Sequence, residues 1–69
     1  MKKASEIQAI ERSILALKQE VYQLSEEATR LWREAGGYSE EFERASKKEN
    51  EARLALLEAQ GHHYEAITA

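Results

Sequence analysis

Ile7, Ile10, Ile14, Leu17, Val21, Leu24, Ala28, Leu31 and Ala35 follow one another at alternating steps of three and four residues. On a helix of 3.6 residues per turn such positions fall on one narrow stripe, whereas a strand scatters them over both faces. The row therefore predicts one amphipathic helix with a heptad seam, sustained over about four heptads. The composition offers no obstacle. Proline is absent, glycine occurs only at positions 36, 37 and 61, and strong helix formers dominate the rest.

The ends of the helices carry their own signals. Ser5-Glu6-Ile7-Gln8 reads as a capping box, which places the start of the first helix at about residue 6. Gly36-Gly37 supplies a left-handed stop after residue 35, and residues 36–38 make the turn. Ser39 is a second N-cap, with Glu40 and Glu41 where the helix dipole favours carboxylates. The second helix begins at about residue 40, and a link this short makes the two helices antiparallel neighbours. Its heptad runs Phe42, Ala45, Glu49, Ala52, Leu56, Ala59, His63, Ala66. Gly61 is a legitimate cap for a helix ending at residue 60. Pairing about the turn, however, sets Leu17 near Leu56, Ile14 near Ala59 and Ile7 near Ile67. A stop at residue 60 strips Ile7 and Ile10 of cover, while an internal glycine costs only about 1 kcal/mol. The register favours a helix running on to about residue 67.

The reading is a single all-α domain, residues 1–69: an antiparallel two-helix hairpin with a heptad pattern. A chain of 69 residues is marginal alone unless something staples it. Without cysteine there is no disulfide and no thiolate metal site. Leu15, Tyr22, Trp32, Leu54 and Leu57 also lie off the seam and widen the apolar faces beyond what one hairpin covers. These features predict a homo-oligomer, a dimeric four-helix bundle being favoured. Its core would comprise Ile7, Ile10, Ile14, Leu17, Val21, Leu24 and Leu31 with Ala45, Ala52, Leu56 and Ala59. The alanines at 45, 52, 59 and 66 recur every seventh residue and suit a close helix approach.

Charge and chemistry narrow the function. Thirteen acidic residues against ten basic ones give a net charge of −3, which argues against general nucleic-acid binding. No apolar run approaches the ~20 residues that span a bilayer. Met1-Lys2-Lys3 resembles a signal-peptide start, but Glu6, Gln8, Glu11 and Arg12 break the segment behind it. The expected address is the cytoplasm. Hydroxyl side chains lack histidine-plus-acid support, and no glycine-rich phosphate loop exists, so the chain reads as non-enzymatic, with no cofactor. Glu58, His62, His63 and Glu65 form the one cluster with ligand chemistry. Adjacent histidines point about 100° apart on a helix, so no metal site is expected there. Glu49 sits at a seam position, either turned outward to pair with Arg53 or forming a polar layer opposite Lys18, Tyr22 or Ser25.

Two surfaces remain as sites. Arg30, Arg33, Arg44, Lys47 and Lys48 gather toward the turn, mostly at helix-pair spacing to glutamates. Trp32, Tyr38 and Phe42 bracket the turn, with Arg30, Arg33 and Arg44 near them in sequence, a composition common in interface hot spots. The layout of two heptad helices, a tight turn and small residues at heptad spacing resembles the Rop family of plasmid copy-number regulators. That resemblance implies pairing into a four-helix bundle that binds RNA hairpins, but no RNA-contacting residue aligns, so only the architecture carries over. A fainter likeness, to secreted W-x-G hairpins, fails at the motif, because Arg33-Glu34-Ala35 separates Trp32 from Gly36. The expected function is that of a small helical interaction protein (adaptor, inhibitor or assembly factor) with a protein partner. The alternatives are a Rop-like nucleic-acid binder, or a binder of a small anionic ligand in a groove lined by Lys18, Tyr22 and Arg53.

Overall fold

The computed structural model describes residues 4–68. It contains α1 (Ala4–Ala35) and α2 (Glu40–Thr68), packed against each other as an antiparallel hairpin 50 Å long. The charged start Met1-Lys2-Lys3 lies outside the described residues. Helix α1 opens at Ala4, two residues before the expected boundary, so Ser5 sits inside its first turn and is not the N-cap. The other three ends follow the sequence signals. Gly36 N–H bonds to the Arg33 carbonyl at 3.2 Å and Gly37 N–H to the Trp32 carbonyl at 2.9 Å. This paired pattern is the Schellman stop, and it requires the positive φ values of 71° and 142° found at the two glycines. Ser39 Oγ accepts the Phe42 N–H at 3.1 Å, while the Ser39 carbonyl accepts the first intrahelical bond from Glu43 at 3.0 Å. That is an N-cap satisfying a donor the helix leaves orphaned.

Helix α2 runs straight through Gly61 to Thr68. The gain is cover for the open end of the seam, where Ile7 and Ile10 are half-buried and Ala66 is only 1% exposed. The fully buried residues are Val21 and Ala28 of α1 with Ala45, Ala52 and Ala66 of α2. Seam residues Ile7 to Leu31 and Phe42 to His63 are otherwise half-buried, as a single two-helix interface dictates. A core made so largely of alanine brings the helix axes close and leaves little spare volume. Ala52→Leu should therefore overpack the seam, lowering the denaturation midpoint by the equivalent of about 1–3 kcal/mol or changing the mass in solution. A neutral result on both measures would place Ala52 outside the contact line.

Glu49 resolves toward the first of its two readings. It keeps its seam position with a side chain only 14% exposed, and its carboxylate accepts a bond from Arg53 Nη2 at 2.7 Å. The ion pair one turn along the same helix neutralises a charge that burial alone would penalise.

Candidate functional site

Labelling the seam positions a and d shows how the surface divides. In α1 the a positions are Ile7, Ile14, Val21 and Ala28; in α2 they are Phe42, Glu49, Leu56 and His63. Positions e and b lie on one flank of the seam, g and c on the other. One groove is lined by Glu11, Leu15 and Lys18 together with Gln60 and His63, so e and b residues of α1 adjoin e residues of α2. The opposite groove joins Glu20 of α1 to Lys48, Glu51 and Ala55 of α2. The two flanks differ sharply. Of the large apolar side chains left exposed, Leu15, Tyr22, Trp32, Leu57, Tyr64 and Ile67 belong to e or b positions; Leu54 alone among helical ones points outward from the back. The g and c flank carries eight glutamates and three basic residues.

The aromatic cluster lies at the turn end of the apolar flank. The sequence places Trp32 in the last turn of α1, Tyr38 immediately before the Ser39 cap and Phe42 in the first turn of α2. The reversal forced by Gly36 and Gly37 brings the three together. Trp32 meets Phe42 edge-on with ring centroids 4.9 Å apart, and Tyr38 meets Phe42 edge-on at 6.3 Å. Phe42 is half-buried beneath them, whereas Trp32 remains 48% and Tyr38 65% exposed. The cluster is thus held in place from below and open above. Edge-to-face pairs of this kind add about 0.5–1.5 kcal/mol each beyond simple burial.

Tyr38 is tied by a second contact. Its hydroxyl donates to the Glu43 carboxylate, joining the residue before the cap to the fourth residue of α2. Those two positions are where a hydrophobic staple usually sits, and here a polar link occupies them. The bond raises the Tyr38 phenol above its ordinary value, with slight desolvation and the carboxylate charge acting in the same direction. A raised phenol pKa in the fold means the turn contributes its stability below the ordinary tyrosine range, near pH 10, and loses it as pH rises through the higher folded value. A spectrophotometric titration of the phenolates should show one tyrosine ionising later than Tyr22 and Tyr64. That late step should vanish in Tyr38→Phe or move back in Glu43→Gln.

The arginines do not close into a rim around the cluster. Arg30 donates to Glu34 at 2.9 Å and Arg44 lies 3.9 Å from Glu41, both at c positions on the far flank. Arg33 lines a shallow groove on the outer face of α1 with Glu26 and Thr29. Lys47 points away from the seam and Lys48 adjoins Glu51, so the basic residues stand dispersed among carboxylates. Lys18 and Arg53, set beside Tyr22 as an anion groove, are likewise separated: Lys18 lines the groove with Glu11 and His63, Tyr22 the one with Arg33, while Arg53 holds Glu49. Glu58 and His62 lie one turn apart on α2, and no group of three or more potential metal ligands converges among the described residues. No protein-family model, curated protein or solved structure matches the chain. No helix among the described residues is long and apolar enough to cross a membrane.

Two surface residues on the apolar flank escape a reading that stops at Gly61. Tyr64 and Ile67 extend the flank only because α2 continues, and the b and e positions of the prolonged heptad are the signal that identifies them.

Proposed function

We propose that this chain is a non-catalytic helical interaction protein of the cytoplasm, which self-associates and binds a protein target through the aromatic turn end. The observation that supports it most is the state of Trp32: a large ring fixed against Phe42 by an edge contact and still about half exposed. A pre-ordered aromatic loses little side-chain freedom on binding, which is why tryptophan is enriched among interface anchors. Dispersed and carboxylate-paired basic residues give the nucleic-acid alternative no comparable support. Self-association rests on the uncovered apolar flank. The hairpin exposes 5358 Å², whereas a compact monomer of its 7.9 kDa mass exposes about 4,400 Å². The surplus of about 1,000 Å² is close to the ~800 Å² that each partner buries in a standard interface. Sedimentation equilibrium at micromolar concentration should give at least two chains per particle. A cooperatively folded monomer at tens of micromolar overturns the self-association reading. Capture of a protein partner that depends on Trp32 tests the turn end.

A further inference from the structure

Resting on the self-association reading, we infer that the second copy seats on one defined patch, the open-end part of the apolar flank. It does so about a two-fold axis that crosses the helices near Leu15. The flank is not uniformly apolar. Leu15 and Tyr22 of α1 with Leu57, Tyr64 and Ile67 of α2 occupy the half toward the chain ends, each about half or more exposed. Beyond them Ser25 and Thr29 of α1 and Ser46 and Asn50 of α2 form a polar band, and only then comes the aromatic turn end. Two separate apolar patches imply two separate contacts.

Charge selects a copy of this chain as the occupant of the larger patch. The opposite flank, with eight carboxylates and three cations, repels its own copy. The apolar flank is near neutral, and its charges are placed for self-recognition. Glu11 and Lys18 both hold e positions of α1, one heptad apart, with Leu15 midway between them. Both line the groove that Leu15 shares with Gln60 and His63. A two-fold axis lying in the interface, across the helices at Leu15, runs α1 antiparallel to its counterpart. Leu15 then meets Leu15, and Glu11 of each copy faces Lys18 of the other. The same operation carries Tyr22 toward the other copy's Ile67 end. It is an isologous contact, closed by its own symmetry. Because the axis lies off the centre of the hairpin, the two aromatic turn ends project at opposite ends of the dimer and stay free.

A charge-swap series tests this directly, since neither Glu11 nor Lys18 has a charged neighbour three or four residues away on α1. Glu11→Lys and Lys18→Glu each set like charges across the axis twice. At low salt each should raise the dimer dissociation constant about tenfold or more, with the effect shrinking in 1 M salt. The double variant, with both charges exchanged, should return to within about threefold of wild type, while circular dichroism stays unchanged throughout. Leu15→Glu should leave only monomer, and Ala16→Glu on the other flank should leave the dimer intact. Failure of the single variants to weaken a dimeric wild type, or failure of the double to restore it, overturns this interface while leaving self-association standing. A monomeric wild type overturns both.

Discussion

Replacing Leu24 by alanine is expected to lower the unfolding free energy by about 2–5 kcal/mol, the usual range for a buried leucine. The effect is large for this chain because so little else fills the seam. Four of its five fully buried residues are alanines, which contribute close approach but little apolar area. Leu24 and Leu17 supply the volume, lining the groove against Ala52 and Ala55. Nothing larger stands ready to collapse into the space, so the cavity persists and its cost adds to the lost transfer energy. Leu17→Ala should behave alike. Denaturant midpoints by circular dichroism, compared at one protein concentration because the stability of an oligomer depends on it, measure the loss. A change below about 0.5 kcal/mol, the range of an ordinary surface substitution, would mean that Leu24 does not belong to the core.

Trp32→Ala separates the two roles open to the aromatic cluster. If the ring anchors a target, the substitution should remove about 2 kcal/mol or more of binding free energy, roughly a thirtyfold loss in affinity. The fold should change little, since Trp32 sits at an e position beside the seam and half of its surface already faces water. Phe42, half-buried and hydrogen-bonded through its backbone to Ser39, would keep the turn closed. If instead the ring is a plug for the bundle end, thermal stability should fall markedly and affinity should follow only through folding. The measurement pairs a thermal melt with titration against the protein captured from the native host. Normal binding by the folded variant would remove the turn end from consideration.

The two predictions draw on different layers of information. Which residues form the seam was legible in the chain itself: alternating steps of three and four can satisfy only a helix, and every seam residue from Ile7 to Leu31 and from Phe42 to Ala66 is buried or half-buried. The reversal was equally legible, because two adjacent glycines supply the positive φ values that other residues rarely adopt. Local chemistry also predicted the Ser39 cap. The capping box at Ser5 misled for a physical reason: any helix with a favourable continuation can run past a cap, and here α1 extends one turn of backbone further back, to Ala4. Gly61 shows the same principle at the other end. As a residue it is a stop signal; in the hairpin, the seam opposite Ile7 and Ile10 outweighs its intrinsic cost and α2 carries on. What no sequence window could supply was the relation between the helices. Only their packing places e positions of one beside e positions of the other, collecting Leu15, Tyr22, Leu57, Tyr64 and Ile67 on one flank and the glutamates on the other. The aromatic contact has the same origin. Trp32 and Phe42 stand ten residues apart in sequence, and it is the tertiary reversal that sets their rings edge to face. The arginines are the counterexample, near Trp32 in sequence yet turned to the other flank, because residues two apart on a helix point in nearly opposite directions.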